Sequence, residues 1–174
     1  MFYLVCGGSG SGKSEYAEKI AVELHKNSAN DPFIYIATMM AADEEAKKKI
    51  MRHREMRKNK GFKTIEAYLN LKETDIPDNC TILLDCLSNL LANEMFASNG
   101  SGENAVEEIR NGIDHLLDKV ENLVIVSNDI FSDGNIYDEM TRKYISNMGK
   151  INQCLAEKAD KVLELVCGIP IYHK

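Results

Sequence analysis

No run of apolar residues in this chain reaches the roughly 18–20 that a membrane-spanning helix needs. The opening residues, MFYLVC, lack the basic start and long apolar stretch of a secretory signal. Cysteine is sparse and unpatterned. The five are Cys6, Cys80, Cys86, Cys154 and Cys167, an odd number with no CxxC spacing. A disulfide framework is therefore excluded, and the thiols read as inert in a reducing compartment. Three prolines and 11 glycines in 174 residues exclude collagen-like and extended disordered chains. Solenoid repeats and low-complexity tracts are missing too. What is left is an ordinary globular composition, 44% apolar and 28% charged. Its length predicts one domain over residues 1–174 with a single buried core. A cytoplasmic protein without a membrane span is expected.

The net charge of −6 argues against a nucleic-acid partner. Its distribution is uneven. Residues 43–60 hold eight Lys/Arg against four Asp/Glu, a local net of +4, so the remainder carries −10. A basic segment on an acidic chain is either a solvated helix face or a specific anion site.

Short apolar runs alternate with helical patterns. Phe2–Cys6, Phe33–Ala37, Thr81–Leu87, Leu123–Ser127 and Val162–Val166 are apolar throughout, as strands covered on both faces are. Phe62–Glu66 is a weaker strand and Ile169–Tyr172 an edge strand. Helices are predicted over Ser14–Lys26, Asp43–Lys58, Ser88–Phe96, Val106–Val120 and Tyr137–Ala159. Ser98–Asn104 reads as a loop open to insertion. The alternation predicts an α/β fold of three layers with a mostly parallel sheet.

Between the first strand and the first helix stands GGSGSGKS: Gly7, Gly8, Ser9, Gly10, Ser11, Gly12, Lys13 and Ser14. It matches G-x-x-x-x-G-K-[ST] at every position and in the required context, which predicts a P-loop NTPase. Glycines let successive N–H groups point inward around phosphate oxygens, and the helix behind adds its positive end. Lys13 would reach the β- and γ-phosphates of ATP or GTP, and the Ser14 hydroxyl would ligate Mg2+. A second Mg2+ ligand is expected at the end of a neighbouring strand. Asp85, closing the run Ile82-Leu83-Leu84, fits, with Asp129 as its rival.

Among four histidines, His25 and His115 lie among polar residues of helices and His173 is one residue from the C-terminus, and all three are assigned to the surface. His53 differs. It stands in IMRHREMR, flanked by Arg52 and Arg54 and four residues before Arg57, on one helix face. A neutral imidazole is a nucleophile and guanidinium groups hold the phosphate it would attack. A phosphate contact or an exposed side chain remains open on chemistry alone.

Beyond these motifs, the chain resembles the bifunctional adenosylcobinamide kinase/adenosylcobinamide-phosphate guanylyltransferase family of cobalamin biosynthesis. The resemblance runs from the GG-x-x-SGKS-x-x-AE start through YIAT at Tyr35–Thr38 to the I-x-x-H of Ile50–His53. It continues through Thr64 and Glu66, LLDCLSNLLAN, Val126–Asp129, Arg142, Gly149, Asn152-Gln153 and Ala159-Asp160. It implies a RecA-like P-loop fold and a trimeric homo-oligomer. It implies phosphorylation of adenosylcobinamide by ATP or GTP, then transfer of GMP from GTP to adenosylcobinamide phosphate, releasing pyrophosphate. The guanylylated histidine of the family falls on His53, with Lys13 and Asp85 as its catalytic companions. The phosphate loop, Arg52, Arg54, Arg57 and Glu66 would bind nucleotide, and Ser14 and Asp85 would hold Mg2+. The chain departs from the family at Gly10, where an Arg is usual, and at Phe131–Ile136, where a G-x-G-[IV]-V-P loop is usual. That loop is expected to line the corrinoid side of the cleft. A P-loop kinase of another small alcohol with a structural His53, or a non-catalytic nucleotide-dependent interaction module, are the competing readings.

Overall fold

The computed structural model describes residues 1–28, 31–41, 43–130 and 137–174. Its centre is one seven-stranded sheet. The strands are β1 (Phe2–Gly7), β2 (Phe33–Ala37), β3 (Lys63–Glu66), β4 (Thr81–Asp85), β5 (Asn122–Val126), β6 (Lys161–Val166) and β7 (Ile169–Tyr172). In space they run β3-β2-β4-β5-β1-β6-β7, all parallel except the β6–β7 hairpin at one edge. The helices are α1 (Lys13–Asn27), α2 (Glu44–Arg57), α3 (Leu87–Phe96), α4 (Ala105–Lys119) and α5 (Glu139–Lys158).

The pleat of apolar strands divides the core in two. Phe2 and Leu4, Ile34 and Ile36, Ile82 and Leu84, and Leu123 and Ile125 face α3, α4 and α5. Their neighbours Val5, Phe33, Tyr35, Leu83, Val124 and Val126 face α1. On α1 the stripe is small, Ala17 and Ala21, both fully buried. The sheet is thus covered on both sides, as its uninterrupted hydrophobicity required.

Helix α2 has a different basis. Of its residues only Arg57 is buried. Its order comes from local terms. Asp43 caps it by accepting from Ala46 N at 2.7 Å, Glu44 and Glu45 open the first turn, and Arg54 and Arg57 close the last.

Several expectations are corrected. Asp85 ends β4, which is not next to β1: β5 lies between them. The third strand stops at Asp85, and Leu87 already begins α3. The loop after α3 is tied down. Buried Glu94 accepts from Ser101 N and Oγ at 3.1 and 2.7 Å and from Asn70 N at 2.7 Å. A Cβ on Gly100 would lie 2.5 Å from the Glu94 carbonyl. His25 is half-buried, stacked on Phe33 at 4.3 Å between ring centres. The segment Phe131–Ile136 lies outside the described residues. Among the described residues no helix is long and apolar enough to cross a membrane.

Gly112 of α4 packs against the short 3-10 turn Leu71–Glu73. A Cβ there would lie 2.7 Å from Leu71 Cβ and 3.2 Å from Lys72 N. Gly112→Ala would gain about 1 kcal/mol of helix propensity. Overpacking against backbone costs typically about 1–3 kcal/mol. The variant should therefore be less stable than the parent, read as a lower urea midpoint at unchanged slope.

Candidate active site

The carboxyl ends of β1, β2, β3 and β4 open onto one cleft of 570 Å³, where ligands of open α/β sheets bind. The phosphate loop forms one wall and α2 the other. The loop's shape is a packing requirement. A Cβ on Gly7 would meet Ser11 Oγ at 2.6 Å and the Leu165 carbonyl at 2.8 Å. Gly12 caps α1 at φ +89°, a conformation open to glycine. Gly168 N, from the turn between β6 and β7, donates to Ser11 O at 3.0 Å and braces the loop from behind.

Lys13 is buried and donates to Gly8 O at 3.0 Å, so its ammonium lies across the mouth of the loop. Burial lowers its pKa below the ordinary lysine value, against the opposing pull of Cys86 and Asp85. The Ser14 hydroxyl donates to Asp85 Oδ1 at 3.5 Å. These two hard oxygen donors fit a Mg2+ ion, which takes one or two protein oxygens and completes its shell with phosphate and water. The described residues hold no group of three or more His, Cys, Asp or Glu arranged for a metal.

Asp85 is also the hub of the opposite wall. Its Oδ2 accepts from Tyr35 OH at 3.0 Å and lies 3.4 Å from His53 Nδ1. Burial first, then the Asp85 charge, push the Tyr35 phenol far above its usual range, so it stays protonated and donates. The other face of the Tyr35 ring carries Arg57, whose guanidinium carbon sits 3.3 Å from the ring centre. Arg57 Nε and Nη1 are buried with no hydrogen-bond partner among the described residues. A desolvated cation with unmet donors beside a phosphate loop is prepared for an anion.

At the rim, Glu66 accepts from Arg54 at 2.6 Å and from Tyr68 OH at 2.8 Å. Arg52 lines the cleft as well. The structure thus brings together Ser9, Gly10, Gly12, Lys13, Ser14, Arg52, His53, Arg54, Arg57, Glu66 and Asp85. Gly7, Gly8 and Ser11 stand behind that lining and shape the loop. Asp129 is not among the lining residues; its N–H donates to Gly7 O at 3.1 Å. Sequence reasoning passes over the hydroxyl of Tyr35 as a site group, and also Tyr68 and Asn89. A tyrosine inside an apolar strand normally signals packing alone. The cysteines remain free thiols: burial pushes Cys6 and Cys80 up to about 11, and Cys86 upward as well.

Residues 3–172 match the family model for cobinamide kinase / cobinamide phosphate guanyltransferase. The chain is 29% identical to the bifunctional adenosylcobalamin biosynthesis protein CobP of Pseudomonas aeruginosa over 171 residues, 97% of this chain and 94% of that protein. It is 29% identical over 188 residues to the bifunctional adenosylcobalamin biosynthesis protein CobU of Escherichia coli K12, with both chains covered in full. Its fold is similar to that of a solved ATPase domain at TM-score 0.51 and 15% identity, covering 94% of this chain and 68% of that one.

The unmet donors of Arg57 yield a test. Arg57→Met removes a buried cation that has no counter-ion among the described residues, so the ligand-free protein should lose little stability despite the lost ring contact. That contact is worth about 0.5–2 kcal/mol. Stabilisation by an added nucleoside triphosphate should fall at least tenfold in apparent affinity. Thermal melts with and without nucleotide report both quantities.

Proposed function

The chain belongs to the cobinamide kinase / cobinamide phosphate guanyltransferase family, and on that premise we propose that the cleft between phosphate loop and α2 serves both reactions. The enzyme phosphorylates cobinamide and transfers a guanylyl group to cobinamide phosphate. The observation supporting a shared cleft is Asp85, within 3.5 Å of Ser14 Oγ and 3.4 Å of His53 Nδ1. One carboxylate thereby joins the phosphate loop to the histidine.

In the kinase step, the loop N–H groups and Lys13 hold the β- and γ-phosphates of ATP or GTP. The substrate hydroxyl attacks the γ-phosphorus as the bond to the β,γ-bridging oxygen breaks; the nucleoside diphosphate leaves with that electron pair, the hydroxyl proton passes to solvent, and Lys13 meets the charge that develops on the oxygens. No protein nucleophile is needed. Ser14 and Asp85 would hold a Mg2+ ion, which would neutralise phosphate charge when bound.

In the guanylyl step, the lone pair of neutral His53 attacks the α-phosphorus of GTP. Pyrophosphate leaves with the electron pair of the broken bond, and a phosphoramidate links GMP to the enzyme. An oxygen of cobinamide phosphate then attacks the same phosphorus and frees the histidine. Arg52, Arg54 and Arg57 lend positive charge along that side of the cleft, and Glu66 keeps Arg54 in place.

Two variants separate the steps. Lys13→Ala removes one charge-assisted donor, worth about 3–4 kcal/mol and a rate factor on the order of 10²–10³. Kinase turnover should fall accordingly while the melting curve is retained; unchanged turnover would refute the assignment. His53→Ala should carry no acid-labile GMP after incubation with α-phosphate-labelled GTP, yet keep much of the kinase rate. Label that persists on the variant would point to another nucleophile.

A further inference from the structure

The turn that leaves α2 is tied to the helix behind the phosphate loop by one buried ion pair. Glu18 stands on α1, five residues after Lys13, and is only 1% exposed. Its carboxylate accepts from Lys60 Nζ. A carboxylate taken out of water needs a partner, and loss of that partner leaves the charge uncompensated, so Lys60 is held in place. Lys60 is also fixed to the end of α2, because its N–H donates to Arg57 O at 2.9 Å. Two residues on, Phe62 stacks on Phe33 at 3.8 Å between ring centres and meets Tyr35 edge-on at 6.0 Å. A second cavity, of 490 Å³, runs beside α1. Of the described residues that line it, Lys60 alone comes from outside that helix, so its side chain is the strut from the turn to α1. Neither Glu18 nor Lys60 lines the cleft of the phosphate loop.

We propose that Glu18 and Lys60 are positioning residues for the guanylyl step: by tying the turn after α2 to α1, they set the distance between Arg57 and the phosphates on the loop. This rests on the reading above that α2 serves that step. The need for such a tether follows from α2 itself. The helix buries Arg57 and nothing else, so no apolar seam fixes how far its last turn stands from the sheet. The loop, by contrast, runs directly into α1, whose Ala17 and Ala21 are packed in the core. One end of the ion pair is therefore rigidly coupled to Lys13, and the other to the backbone of Arg57. The kinase step draws on the loop and Lys13, which stay seated without the tether. The guanylyl step draws on groups from both walls at once, and a small misplacement of one wall is costly there.

The test compares both activities of the full chain in three variants, with melting curves alongside. Lys60→Met should lower kcat for guanylyl transfer to cobinamide phosphate by a factor on the order of 10–10², with kcat for cobinamide phosphorylation near the wild-type value. Lys60→Arg keeps the charge and the reach and should retain most of the transfer rate. Glu18→Leu combined with Lys60→Met removes both charges, leaves no unpaired buried ion and should fold, yet should lose transfer as Lys60→Met does. This double variant decides the matter if Lys60→Met does not fold. Wild-type transfer in the folded double variant would overturn the proposal. So would an equal fall in both activities, or a Lys60→Arg variant as slow as Lys60→Met. Arg57→Met and His53→Ala separate this proposal from the reading beneath it. If they impair transfer and the Lys60 variants do not, the tether alone is refuted. If all of them transfer normally, α2 does not serve the guanylyl step and both fall together.

Discussion

A carboxylate in a nearly dry site must find donors, and at Asp85 that need organises the carboxyl edge of the sheet. Ser14, Tyr35 and His53 come from α1, β2 and α2; core packing already brings α1 and β2 to β4, and Asp85 adds α2 to them. Each gives Asp85 a donor or a close polar contact, and in return is held facing the cleft. Tyr35 passes the constraint on by presenting its ring to Arg57. A chain of contacts then runs from the phosphate loop through Asp85 and the Tyr35 ring to the last turn of α2. The low local dielectric makes each of these contacts count for more than it would at the surface.

That chain accounts for α2. A helix with no apolar face gains nothing from the core, and this one exposes or half-exposes all but Arg57. Its position is set by His53 on Asp85, Arg57 on Tyr35 and Arg54 on Glu66. The third is an exposed ion pair, which typically contributes at most about 1 kcal/mol. The side chains that anchor the helix are the ones that face the cleft, so the orientation of α2 and the geometry of the site are one and the same variable.

The fold was legible because strands apolar on both faces leave little choice but a covered parallel sheet, and because the glycine pattern of the phosphate loop has a steric reason at Gly7 and Gly12. Strand order was not legible. It depends on which α-helical crossovers pack together, so residue patterns alone put Asp85 one strand too near β1. Arg57 could be picked out by its spacing from His53. Its burial could not, since nothing local distinguishes it from the solvated cations around it. The hydroxyl of Tyr35 was hidden for the opposite reason, inside an apolar run. The turn at Leu71 follows Asn70 at φ +50°, and no turn-forming dipeptide marks it.

The phosphate loop follows β1, but its back wall is formed by β6 and the turn after it, far along the chain. Gly7 pairs with Leu165 on β6, and Ser11 accepts from Gly168 beyond it. During synthesis, then, the loop emerges from the ribosome long before the strand it must lean on. Until β6 slots in beside β1, that flank of β1 is an open edge and the cradle behind Gly7 is incomplete. The nucleotide site is thereby completed only once β6 and the turn after it have been made, so a chain released before β6 would hold the motif without the pocket.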